Sequence, residues 1–139
     1  MKQNFMPPVA SIKKSTVDIY EKELSDKIIG CAFEVYNHLG HGFLEKVYER
    51  ALLNEFTINN IQAESQVAIK VLYKNENVGD YFADIIVENK IILELKHVSS
   101  IENIHIAQLI NYLKATGYKL GYILNFGNEK GLQFKRIIY

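Results

Sequence analysis

Apolar residues recur at spacings of three and four from Ile28 to Leu39, the first ordered pattern along the chain. Ile28, Ile29, Ala32, Phe33, Val35, Tyr36 and Leu39 fall on one stripe of a 3.6-residue helix. Ser25 offers a hydroxyl to cap its start, and Gly40 is the left-handed residue expected to end it. Past His41-Gly42 the same period returns in Leu44, Val47, Tyr48, Ala51, Leu52 and Phe56, which predicts a second helix from Leu44 to Thr57. Two helices joined so closely are expected to form a hairpin or a sharp corner. Upstream, residues 1–22 hold both prolines and no sustained period. They are expected to be a loosely held arm, with a short ordered piece near Val17 to Tyr20, ahead of a single domain over 23–139.

After Asn59-Asn60 the period drops to two. Val67, Ile69, Val71 and Tyr73 alternate with Gln66, Ala68, Lys70 and Leu72, the pattern of a strand. Lys74 to Asn77 is a turn, so Val78 to Val87 is expected to return antiparallel. A further turn at Glu88-Asn89-Lys90 leads into Ile91 to Val98, whose continuous aliphatic start predicts a central strand covered on both faces. Ser99-Ser100-Ile101-Glu102 has the form of a capping box, predicting a helix from Ile101 to Thr116 with Gly117 as its stop. Leu120 to Phe126 and Leu132 to Ile138 complete the set as strands, giving the order ααβββαββ.

Bulk composition narrows the class without deciding it. The chain has 139 residues, 48% hydrophobic and 23% charged, enough for one core and little more. Its 16 basic and 16 acidic residues cancel, which weighs against a strong non-specific grip on nucleic acid. Local basic patches are compatible with a neutral sum. Cys31 is the single cysteine and sits among apolar neighbours, so a disulfide within the chain is excluded and a buried hydrophobe is favoured. Residues 1–8 lack the apolar run of a signal peptide, and no stretch reaches the roughly 18 apolar residues of a membrane span. A cytoplasmic location with no membrane partner is the expectation.

The chemical anomaly lies in the predicted central strand. Glu94 and Lys96 point to one face while Leu93, Leu95 and His97 point to the other. A carboxylate and an ammonium side by side in so apolar a strand need a further partner, because a buried pair alone does not generally recover its desolvation cost. A metal ion is one such partner. The turn at Glu88-Asn89-Lys90 folds the preceding strand back so that Asp84 falls opposite Glu94, on the same sheet face. A slip of one residue would put them on opposite faces. Two facing carboxylates with a nearby lysine suit hydrolysis of a phosphodiester with Mg2+, or with Mn2+, as cofactor. Spacing alone does not separate this from a surface Glu-Lys pair beside an unrelated aspartate.

Asp84 followed by Glu94-Leu95-Lys96 resembles the D…ExK signature of the PD-(D/E)XK nuclease superfamily. The element order is similar to that superfamily's α-β-β-β-α-β core. Gly42-Phe43-Leu44-Glu45-Lys46-Val47-Tyr48 matches the GxxExxY signature of a group of small bacterial proteins within it. Gln108-Leu109-Ile110-Asn111-Tyr112 and Leu124-Asn125-Phe126-Gly127 add to the likeness, which runs from about Lys27 to the C-terminus. It implies an α/β (α+β) restriction-endonuclease-like core with a central mixed sheet of about five strands flanked by helices. It further implies Asp84, Glu94 and the Leu95 carbonyl as metal ligands, Lys96 as the catalytic lysine and Glu45 as a helix carboxylate completing the site. Gln108 and Tyr112 resemble a QxxxY element, with Gln108 at the catalytic centre and Tyr112 on substrate. Ala83 stands where the superfamily's name has proline.

Each added residue also has a plainer explanation. Glu45 opens a helix, where any carboxylate is favoured by the macrodipole. Gln108 and Tyr112 are one turn apart and share a face that could line a cleft or simply meet water. Tyr48 reads as core; His97 and His105 read as satisfied structural histidines; His38, His41, Lys135 and Arg136 read as solvated. The leading expectation is a nuclease acting on DNA, or less readily RNA. A module that keeps the fold and binds nucleic acid or protein without turnover is the alternative, and a homodimer or an unknown protein partner is left open.

Overall fold

A computed structural model describes residues 20–139 of the chain. The expected arm falls almost wholly outside these residues. The chain forms two compact units, 1–30 and 31–139. The described part of the first is the opening of helix α1 (Lys22–Leu39), where Lys22 Nζ meets Asp26 Oδ2 one turn on at 2.7 Å. The helix starts a turn before the expected Ser25 cap; Ser25 is instead buried within it, its N–H donating to the Glu21 carbonyl.

Helix α2 (Glu45–Ile58) follows, then strands β1 (Ala63–Tyr73), β2 (Glu76–Val87) and β3 (Ile91–Lys96). Helix α3 (Asn103–Thr116) leads to β4 (Leu120–Asn125) and β5 (Gln133–Ile138). The strands form one five-stranded sheet in the order β1-β2-β3-β4-β5. Only β3 and β4 are parallel, joined by the α3 crossover; the other neighbours are antiparallel. This is the expected mixed α+β architecture, with β3 at the centre.

Alternation divides the sheet's side chains between two faces. Ile69, Ala83, Ile86, Ile92, Ile123 and Ile137 pack with Leu109, Tyr112 and Leu113 of α3 in one core cluster. Leu93 and Leu95 point the other way and are buried too. Gly40 and Gly117 end α1 and α3 in the left-handed conformation, as their positions predict.

Several boundaries differ from expectation by a residue or more, and three of them have a visible physical cause. β1 begins at Ala63, three residues early, because an edge strand pairs through its backbone and polar Glu64 and Ser65 can extend it with no hydrophobic signal. β3 stops at Lys96, since the N–H and carbonyl of Val98 are taken by the Asn125 side chain. α3 starts at Asn103 with Glu102, not Ser99, as its N-cap; the Glu102 N–H donates to His105 Nδ1 at 2.9 Å. His105 is thus a helix-start residue, in line with its structural reading.

Candidate active site

The hairpin of β2 and β3 places the two carboxylates. Its register pairs Ile85 with Leu93, Ile86 with Ile92 and Val87 with Ile91, so Asp84 and Glu94 are the next positions opposite one another. There the ladder is completed by side chains. The Asp84 N–H donates to Glu94 Oε2 at 3.0 Å, and the Leu95 N–H donates to Asp84 Oδ2 at 2.8 Å. Each carboxylate thus commits one oxygen to the partner strand's backbone, and the two acids lie on one side of the sheet.

Their proximity is electrostatically uncomfortable. Glu94 is 4% exposed. Burial and the neighbouring Asp84 push its carboxyl from an ordinary 4.5 up to about 8, against the opposing pull of the Asp84 N–H and Lys96. Asp84 is also raised, chiefly by burial, with Glu49 adding to the rise and the Leu95 N–H resisting it. Such opposed acids are the arrangement that a divalent cation relieves.

Lys96 lies two residues beyond Glu94 on the same face. Its Nζ donates to Gln108 Oε1 at 3.0 Å, and Gln108 Nε2 donates to the Tyr112 hydroxyl at 3.2 Å. The chain Tyr112–Gln108–Lys96 therefore fixes the ammonium from α3. Gln108 touches the lysine rather than a carboxylate, which makes it a positioning residue. The Tyr112 hydroxyl is raised above the ordinary phenol range by burial first, then by Glu94 and Asp84.

Glu45 enters from the first turn of α2. Its carboxyl is raised by burial and by Asp84, and lowered by Lys96 and the His97 backbone N–H. What aims it is Tyr48, one turn further on. The Tyr48 hydroxyl donates to the Gly40 carbonyl at 2.5 Å and accepts the Phe43 N–H at 3.2 Å, while its buried ring stacks on Phe126 at 4.6 Å. Tyr48 is core, as its spacing suggested, and it also pins the link before α2.

Two participants carried no expectation. Glu49 is 7% exposed, and its Oε1 accepts from Gln66 Nε2 at 3.1 Å; the same amide lies 3.5 Å from Asp84 Oδ1. Glu49 shares a helix face with Leu52 and Phe56, so a carboxylate within an apolar stripe was the available sign. Gln66 adopts a left-handed φ of 53° inside β1, between the pairs Ser65–Ile85 and Val67–Ala83. No pattern of residue types announces that. His97 differs from its reading as a satisfied histidine. It stacks beside Tyr48, and its buried Nε2 has no hydrogen-bond partner among the described residues. Cys31 is buried and its thiol is pushed up to about 11, chiefly by burial, so it is unreactive as expected.

Among the described residues, no three His, Cys, Asp or Glu side chains are drawn together as a ready ligand cluster. The ligands that do converge are the two carboxylates, oxygen groups that suit a hard cation rather than zinc.

A strand hairpin bearing paired acids, a lysine on the central strand and a crossover helix define a nuclease-type fold. The sequence matches the PD-(D/E)XK nuclease superfamily over residues 22–137, and the chain belongs to that superfamily. A crystal structure of a protein designated SSO0001 shares the fold at 22% identity and a TM-score of 0.51, covering 86% of this chain. The present chain spans 59% of that protein's length. No curated protein matches the chain. No helix among the described residues is long and apolar enough to cross a membrane.

Proposed function

We propose that the chain is a divalent-metal-dependent phosphodiesterase acting on DNA or RNA, within the GxxExxY group and in the cytoplasm. The observation that carries this reading is the pair Asp84 and Glu94, bonded across one hairpin, with Lys96 on the same face and held by Gln108. Asp84, Glu94 and the Leu95 carbonyl would hold the ion, and Mg2+ fits their oxygen chemistry, as does Mn2+. When bound, the ion supplies positive charge against the phosphate and acidifies a water.

The protein's own groups do the rest. Gln108 takes one of the ammonium's three donors, leaving Lys96 to orient the attacking water or to meet charge developing on phosphate. Glu45, at the start of α2, accepts a proton from or orients a water on the open side, its carboxyl raised by burial and by Asp84.

The test is cleavage of single- and double-stranded DNA and RNA with Mg2+ or Mn2+ by wild type, Glu94→Ala and Lys96→Ala. Loss of a catalytic group is expected to lower the rate by about 10²- to 10⁴-fold. Equal cleavage by wild type and Glu94→Ala would mark a contaminating nuclease and overturn the reading. Binding without cleavage would favour a non-catalytic module.

A further inference from the structure

An open groove of about 1000 Å³ starts at Lys96 and runs between α3 and the far end of the β1–β2 hairpin. Its lining divides into two chemistries. Lys70, Lys96 and Lys114 contribute ammonium groups, and among the described residues no aspartate or glutamate lines it. The rest is largely apolar or aromatic, including Leu72, Val78, Tyr81 and Ile104, which are 62%, 60%, 48% and 69% exposed. Asp84, Glu94 and Glu45 gather beyond Lys96, and the groove on this side is lined by ammonium groups, with Asp80 beside Lys70 as the neighbouring carboxylate. The neutral total charge of the chain hides this separation. Lys70 lies 3.3 Å from Asp80 in a fully open pair, which solvent screens and a stronger anion can displace.

We propose that this groove binds a single strand of nucleic acid and leads it to the acidic pair. The proposal rests on the phosphodiesterase reading above and names the form of substrate that the site takes. Ammonium groups alone would serve any polyanion. The exposed apolar and aromatic lining discriminates, because a duplex turns phosphates outward and keeps its base faces stacked within. An unpaired base offers a flat face to an aromatic ring, a contact open to every base. The Tyr81 ring is half exposed and tilted against the Tyr112 ring with centroids 5.8 Å apart. Tyr112 is itself held through Gln108 to Lys96. A base resting on Tyr81 is thereby tied to the ammonium that would meet its phosphate. Leu72, Val78 and Ile104 shelter neighbouring bases, and Lys70 and Lys114 meet the backbone.

Fluorescence anisotropy with labelled single-stranded oligothymidylate in EDTA tests the groove with no cleavage involved. The same-length duplex, and an abasic strand carrying the phosphates alone, are the comparisons. The wild type is expected to bind the oligothymidylate at least tenfold more tightly than either, with affinity falling as salt rises. Tyr81→Ala is expected to weaken binding roughly tenfold while Tyr81→Phe, which keeps the ring, binds as wild type. Lys114→Ala is expected to lower the slope of affinity against salt by about one contact. Equal binding of duplex and single strand, or wild-type binding by Tyr81→Ala, would overturn the proposal, as would no oligonucleotide binding at all. Single-strand binding with no cleavage on adding Mg2+ leaves the groove standing and removes the phosphodiesterase reading. Cleavage confined to duplex does the reverse.

Discussion

Two buried polar clusters sit side by side on the central strands, and they are built on opposite principles. On β4, Asn125 is fully buried and pairs in the ladder with Lys96. Its Oδ1 accepts from Val98 N–H and Gly127 N–H, and its Nδ2 donates to the Val98 carbonyl and to Gln133 Oε1. Every partner is neutral and every distance lies between 2.8 and 3.0 Å. Across β2 and β3, the two acids Asp84 and Glu94 face each other in one hairpin, with the Glu94 carboxyl pushed up to about 8. Burial is thus equally complete at Asn125 and nearly so at Glu94, and what separates them is satisfaction. The neutral knot is architecture; the frustrated acids hold a charge conflict that is relieved by a proton on Glu94 or by a further ligand.

The largest effect expected is at the knot. Asn125→Ala strands several buried backbone groups at once and is predicted to cost about 3–5 kcal/mol, read as a fall in the denaturant midpoint. Gly127 guards the same spot from the other side. A Cβ there would lie 2.4 Å from Val98 N, which is why the chain needs glycine. A small loss at Asn125 would dissolve the contrast between the two clusters.

A second, somewhat smaller effect concerns pH. The folded Glu94 carboxyl sits above its unfolded value, so the metal-free native state holds a proton that the unfolded chain releases. Its contribution to stability is therefore full below about 4.5 and is lost as pH rises through about 8. Glu94→Gln is predicted to reduce this slope, leaving only the share of Asp84 and Glu45, whose carboxyls are also raised, and to make the variant about 2–3 kcal/mol more stable than wild type in alkaline, metal-free solution. Thermal melts in EDTA across this range check it. Added Mg2+ should stabilise the wild type and not the variant. The smallest effect is expected at Gln66. Removing its amide link between Glu49 and Asp84 by Gln66→Ala should change stability by about 0.5–1 kcal/mol, measured in the same melts.

How much of this could be read from residue types follows the same division. The central strand, the α3 crossover and the facing of Asp84 and Glu94 all follow from alternation and a short turn, which are local rules. The first three residues of β1 were not legible, because an edge strand needs no apolar alternation to pair. The α3 start was misplaced because Ser99 and Glu102 have the right spacing for a capping box, whereas Asn125 reaches from a distant strand to hold Val98 before the helix can begin. Gln66 escaped for a related reason: its role depends on a backbone turned to positive φ, and glutamine gives no sign of that; Glu49 was visible only as a carboxylate within an apolar stripe. The Asp84, Glu94 and Lys96 set was visible as an anomaly of charge in an apolar strand. The unpaired Nε2 of His97 was not.

The left-handed backbone at Gln66 has one more consequence. β1 is an 11-residue strand bonded to β2 on one side only, and so lies at the sheet's edge. A long, regular edge is a template on which a second molecule can dock its own strand and seed a growing aggregate. The twist at Gln66 interrupts that row of donors and acceptors partway along, and Lys70 adds a charge beyond it. The residue that steadies Asp84 also helps keep neighbouring copies of the chain from stacking edge to edge.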